Sequence, residues 1–160
     1  PLRFMFLRSL VPCLLAPFLA GCAGGEDLVA EDPPPSIYWS DGDSGQLGGV
    51  PFRLANVHAP ETGGVGAAIG GADCETERAL GYESKAFMVE RTRTSDLVIT
   101  RDYGPDRLGR QVVDLPADGI DLSRAGLEAG YLRPWPHDGK TALSDKPDWC
   151  GGVASGRGGE

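Results

Sequence analysis

The chain has 160 residues, a formal net charge of −8, 24 glycines and 13 prolines. That length is one domain with room for a core, and the glycine and proline, concentrated in the N-terminal third, the loops and the tail, predict a folded part smaller than the whole chain. The negative balance argues against broad electrostatic capture of nucleic acid, which needs Lys and Arg to displace counterions, but it leaves room for a local cationic site.

The first segment, PLRFMFLRSLVPCLLAPFLAGC, places Arg3 and Arg8 before an apolar run from Leu10 to Ala20 and ends in small residues. The run is too short to span a bilayer and has the layout of an export signal. Pro1 is not a natural initiator; Met5 supplies a plausible start. LAGC, Leu19 to Cys22, resembles the bacterial lipobox, whose cysteine is acylated and becomes the mature N-terminus. An ordinary signal peptide holding a cysteine is the simpler alternative. The expectation is a signal over residues 1–21, lipid on Cys22 and a tether over 22–35, where AGGEDLVAEDPPP reads as semi-stiff extended chain. The protein is then an exported lipoprotein of the bacterial cell envelope.

The folded domain is expected from Ser36 to Cys150. Ile37, Tyr38 and Trp39 favour a strand and run into the turn Asp41-Gly42-Asp43. VPFRLANV is a second strand, and GGVGAAIGGA a flexible loop. DCETERALGYESKAFMVERT reads as a helix capped by Asp73, with Glu75 and Glu77 at the positive end of its dipole and Ala79, Tyr82, Ala86 and Val89 on one face. Gly81 sits oddly inside it. DLVITRDYG and GRQVVDL are strands around the turn GPDRLG, and DLSRAGLEAG is a short helix stopped by Gly130. Strands, helix, strands and short helix suit a small barrel of the α+β class. The tail over 151–160 has nothing to bury and is expected to be disordered.

Of four cysteines, Cys13 leaves with the signal and Cys22 carries lipid. Cys74 and Cys150 remain, and in an oxidising compartment a disulfide is the default. It would add roughly 3–5 kcal/mol in the chain-entropy model. A thiolate metal site is the rival reading, without CxxC spacing to support it.

Three clusters carry candidate chemistry: Asp41 and Asp43 in DGDS, Arg53 with Glu61 in FRLANVHAPE, and Arg110 in DRLGR. Phosphodiester hydrolysis asks for such a set. A carboxylate-held cation polarises the phosphate, a carboxylate base takes a proton from water, and guanidinium forks match the charged phosphoryl oxygens. Singly, each cluster also reads as a turn, a solvated strand residue or an exposed charge.

In order and spacing, DGDS, FRLANVHAPE, GYESKAF, DRLGR and AGLEAGYL resemble the staphylococcal-nuclease, or thermonuclease, domain from about Trp39 to Leu132. The resemblance implies a five-stranded OB barrel with packed helices and calcium-dependent hydrolysis of DNA and RNA. It implies Arg53 and Arg110 as the two catalytic arginines and Glu61 as general base. Asp43 becomes the first calcium ligand, Asp41 a supporting acid, and Ala59 a ligand through its backbone carbonyl.

Three departures stand beside it. His58 occupies the position of a metal-binding aspartate; imidazole suits Zn²⁺ or Mn²⁺ better than Ca²⁺, and structural, metal-ligating and proton-transferring roles are all open for it. Leu108 replaces a tyrosine common at the substrate rim. The usual long C-terminal helix is missing, and a Cys74–Cys150 bond would fasten the shortened end to the first helix. Tyr103, Arg101, Arg107, Tyr131, Arg133 and Trp135 could flank the site and stack bases, with Tyr131 and Trp135 read first as packing residues and His137 as a turn residue. The expected partner is single-stranded DNA or RNA, weakly and locally bound, and nothing indicates an oligomer. A non-catalytic OB module displayed at the membrane is the alternative.

Overall fold

The computed structural model describes residues 35–138 and 141–151, all within one compact unit, Pro33–Glu160. The export signal, Cys13, Cys22 and most of the tether lie outside the described residues, as does the tail over 152–160.

Five strands form the main sheet in the order β1-β2-β3-β6-β5: β1 (Ile37–Trp39), β2 (Ser44–Leu47), β3 (Val50–Leu54), β5 (Arg101–Pro105) and β6 (Gln111–Asp114). All pairs are antiparallel except β3 with β6. β1 and β5 are its edges, so the ladder is an open sheet rather than a closed barrel. Two short ribbons complete the strands, β4 (Val57–His58) with β9 (Arg133–Pro134) and β7 (Pro116–Ala117) with β8 (Ile120–Asp121). The helices are α1 (Glu75–Thr92) and α2 (Leu122–Glu128). The α+β class read from the sequence holds. Among the described residues no helix follows α2, and residues 141–151 run as an irregular strap.

Period-two alternation in β3 sets the relation of core to site. Phe52 and Leu54 point into the core, 1% and 0% exposed, so Arg53 between them must point to the other face. The core joins Trp39, Phe52, Leu54, Val57, Val113 and Leu115 to Met88 of α1 and Leu122 of α2. Trp39 meets Phe52 edge-on at 5.1 Å, and its indole N–H donates to Thr92 Oγ1 at 3.0 Å. That bond satisfies a polar group no water reaches.

Helix α1 corrects two expectations. Its N-cap is Cys74, whose Sγ accepts from the Glu77 amide, not Asp73. Its buried face is Glu77, Gly81, Ser84, Met88 and Thr92, while Ala79, Tyr82, Ala86 and Val89 face solvent. The physical reason is close approach. A Cβ on Gly81 would lie 2.4 Å from the Glu61 carbonyl oxygen, and one on Gly42 would lie 1.8 Å from Ser84 Oγ. Small residues let α1 press on backbone, and that contact outweighs the weak apolar stripe. The strand expected from Asp96 also begins later, at Arg101, with Val98 and Ile99 exposed.

Candidate active site

The site grows from the turn between β1 and β2. Asp41 Oδ1 accepts from the amides of Asp43 and Ser44, at 2.9 and 2.7 Å, and from Ser44 Oγ. This closes an Asx-type turn and aims Asp43 inward, where it is 3% exposed. Asp43 Oδ2 accepts from Arg53 Nη2 at 3.1 Å and from the Ala59 amide at 2.9 Å, leaving Oδ1 outside both bonds. Arg53 Nη2 also donates to the Val57 carbonyl at 3.0 Å, and its guanidinium lies 5.1 Å from the centre of the Trp135 ring. Trp135 is thus a packing residue that flattens Arg53 into place, and its own N–H donates to the Ser144 carbonyl.

Asn56, at φ 60°, turns the chain out of β3 into β4. His58, Ala59, Pro60 and Glu61 then cross to α1. Glu77, wholly buried, receives the amides of Glu61 at 3.3 Å and Asp73 at 2.6 Å. The same segment meets Gly81 as described above, so α1 fixes the Glu61 backbone from two points.

His58 is 2% exposed. Its Nδ1 accepts the Trp149 indole N–H at 3.0 Å, and its Nε2 faces Glu61 Oε1 at 3.7 Å. Because indole only donates, the neutral ring carries its proton on Nε2. Burial, with the charges of Arg53 and Lys146, lowers the imidazole pKa to about 3. Neither nitrogen offers a spare lone pair to a metal in this arrangement.

Arg110 comes from the tip of the β5–β6 hairpin. Its Nε and Nη2 both donate to Asp106 Oδ2, at 2.9 and 2.7 Å, and its amide donates to Asp106 Oδ1. Its charge still reaches Asp43, whose ionised form it favours. Leu108 on the same tip is 60% exposed.

Three acids interact here, Asp41 and Asp43 from the β1–β2 turn and Glu61 from the segment after β4, and all are pushed above the usual carboxylate range. Burial and the neighbouring Asp43 raise Asp41 to about 7. Burial also raises Asp43, against the pull of Arg53 and the Ala59 amide and with the Glu61 charge adding. Burial and then Asp41 raise Glu61, against Lys146 and Arg53. Such a desolvated excess of negative charge is what a cation relieves. Among the described residues no group of three His, Cys, Asp or Glu side chains stands ready as a metal cluster. The three electrostatically coupled acids, Asp43, Asp41 and Glu61, carry oxygen donors, the kind a hard cation takes.

Structure therefore brings Asp41, Asp43, Arg53, His58, Ala59 and Glu61 into one connected set, with Arg110 coupled to it by charge. Cys74 and Cys150 are joined as a disulfide spanning 76 residues, which ties the strap to the start of α1. Tyr131 packs its ring on Phe87 at 5.0 Å. Tyr103 bonds Asp114 and carries Arg101 over its ring, lining a cavity of about 340 Å³ that none of the seven candidate residues lines. Glu77, Lys146 and Trp149 were not legible as site residues. Lys146 Nζ lies 3.4 Å from Asp73 and 3.8 Å from Glu77, a long-range contact with no sequence signature. No protein-family model matches the chain, and no curated protein matches it.

Proposed function

We propose that this domain is a metal-dependent nuclease of the thermonuclease type, built on an OB-like sheet and hydrolysing phosphodiester bonds of DNA or RNA. The observation that carries the reading is the contact of Asp43 with Arg53 at 3.1 Å, at a carboxylate that also feels the charges of Glu61 and Arg110. Export and anchoring through Cys22 belong to the same reading.

Asp43 and Asp41 would hold the cation, with the Ala59 carbonyl as a further oxygen donor. Hard cations such as Ca²⁺, and Mn²⁺ as well, suit these oxygens, whereas the imidazole lone pair that would favour Zn²⁺ is already given by His58 to Trp149. When bound, the ion supplies charge neutralisation at a non-bridging phosphate oxygen. Glu61, with its raised pKa, takes a proton from water. The water oxygen then bonds to phosphorus while the P–O bond to the leaving sugar breaks. Arg53 and Arg110 exchange their carboxylate partners for phosphoryl oxygens as negative charge builds there.

One observation favours the second reading, a non-catalytic OB-like binding module. Both arginines are already paired with acids, and His58 leaves the acid cluster one anion short of the family pattern. Cleavage of denatured DNA by the full chain separates the two. EDTA, calcium, manganese and zinc would be compared, with Glu61→Gln in parallel. The nuclease reading expects calcium-supported cleavage reduced 10²–10⁴-fold in Glu61→Gln. Binding without turnover under every ion would favour the module.

A further inference from the structure

We infer that Trp149 is a positioning residue for Glu61, acting through His58 from a strap that the Cys74–Cys150 disulfide holds against α1; the inference rests on the reading of Glu61 as the base. Trp149 is buried, 6% exposed, though it lies one residue from the disulfide near the end of the described chain. The Arg133 guanidinium covers its ring at 4.0 Å and also donates to the Asp148 carbonyl. Asp148 Oδ1 in turn accepts the amides of Cys150 and Gly151, at 2.8 and 3.0 Å. Those contacts fix the direction of the indole N–H.

That N–H ends on His58 Nδ1 at 3.0 Å, across 91 residues of sequence. The bond does two things. It stops the imidazole from rotating about χ2, and it requires the ring proton to sit on Nε2, which faces Glu61 Oε1 at 3.7 Å. At 3.7 Å this N–H is not yet hydrogen-bonded to Oε1, but a small closure in the working complex would anchor that oxygen and leave Oε2 for the water. Trp135 closes the edge of the ring at 5.2 Å, so His58 is held on two sides by aromatic rings from the C-terminal part of the chain. The strap is tied again by Lys146, whose Nζ lies 3.4 Å from Asp73 and 3.8 Å from the Glu77 that receives the Glu61 amide. A carboxylate at position 58 could accept the indole N–H but would present no N–H to Glu61, so the relay from Trp149 needs the imidazole.

The test uses the full oxidised chain. Trp149→Phe keeps a ring for Arg133 and removes the N–H together with part of the buried ring volume, so the double variants are needed to separate the two effects. The expected result is a fall in kcat of about tenfold with KM little changed. The same substitution should cost nothing further in a Glu61→Gln or His58→Gln background, because its effect passes through those residues. Trp149→His, which restores a ring N–H, should recover part of the rate. Nitrogen NMR of the His58 ring reads the other half: one pyridine-type and one pyrrole-type nitrogen in the wild type, partly averaged in Trp149→Phe. An active wild type whose kcat survives Trp149→Phe overturns the inference, as does an equal loss in the Glu61→Gln background, which would mark a purely structural effect. If Trp149→Phe does not fold, a wild-type ring whose two nitrogens are already averaged overturns it, and a single fixed tautomer supports it. A wild type that cleaves nothing with any ion sinks the nuclease reading itself, and with it any role for Trp149 in catalysis.

Discussion

Gly81 lies so close to Glu61 that a Cβ on the glycine would stand 2.4 Å from the Glu61 carbonyl oxygen and 2.9 Å from that of Pro60. The glycine in the middle of α1 is thus the point where the helix meets the backbone that carries the candidate base. Gly81→Ala sets two effects against each other. Helix propensity favours alanine by about 1 kcal/mol. Overpacking against backbone, which cannot rotate away, costs about 1–3 kcal/mol. The expected net is a lower urea midpoint together with reduced cleavage, since relief requires Glu61 to move. A variant as stable as the wild type would mean that α1 can shift without disturbing the site.

Arg53 and Asp43 give a second prediction. Asp43 is 3% exposed, so removing its cationic partner strands a buried charge. Arg53→Met should destabilise the metal-free protein by about 3–5 kcal/mol. Arg53→Met with Asp43→Asn should cost less than Arg53→Met alone, because the stranded charge is gone. Calcium should restore part of the stability of Arg53→Met if Asp43 holds the ion, and none of that of the double variant. Urea denaturation in EDTA and in calcium reads all three. A loss under 1 kcal/mol in EDTA would show that Asp43 is neutral or hydrated without Arg53.

The disulfide closes a loop of 76 residues' separation onto the N-cap of α1. In the chain-entropy model that loop is worth about 4.5 kcal/mol. For a domain of this size the thermal midpoint should fall by roughly 10–20 °C on reduction, measured by calorimetry with and without a thiol reductant. An unchanged midpoint would mean that Trp149 and Lys146 hold the strap unaided.

The strand-and-helix order was legible because β3 and the short helix obey simple periodicity and turn chemistry. Arg53 was singled out by its place in FRLANVHAPE, and the alternation of β3 explains why it lies opposite Phe52 and Leu54. The face of α1 was not legible. Besides Met88 and Thr92 its buried positions are Glu77, Gly81 and Ser84, residues that read as solvent-facing or as breakers until the backbone they touch is known. His58 showed its position but not its role, which depends on Trp149 across 91 residues of sequence. Contacts of that kind leave no local pattern, and neither does the pairing of Lys146 with Glu77. The barrel failed in a different way: strand content was visible, but closure depends on edge contacts that no strand pattern encodes.

The last prediction concerns pH, where His58 and the acids pull in opposite directions. His58 titrates at about 3 in the folded protein against an ordinary 6.5. Between those values the unfolded chain takes a proton that the folded one refuses, so its share of stability is lost as pH falls from 6.5 towards 3. Asp41 is reversed. Raised to about 7 from 3.8, it holds a proton in the fold that the unfolded chain releases, so its share is lost as pH rises through that window. Asp43 and Glu61, also raised, act with Asp41. His137, whose pKa burial also lowers, acts with His58. Asp41 is raised by about as much as His58 is lowered, and with Asp43 and Glu61 acting in the direction of Asp41 the metal-free protein should become more stable as pH drops from 7 to 5. His58→Gln removes part of the opposing share and should steepen that gain. Saturating calcium, by favouring the ionised acids, should flatten or reverse it. Urea midpoints at pH 5, 6 and 7, in EDTA and in calcium, give the three slopes. If calcium leaves the wild-type slope untouched, the cation does not sit among these carboxylates.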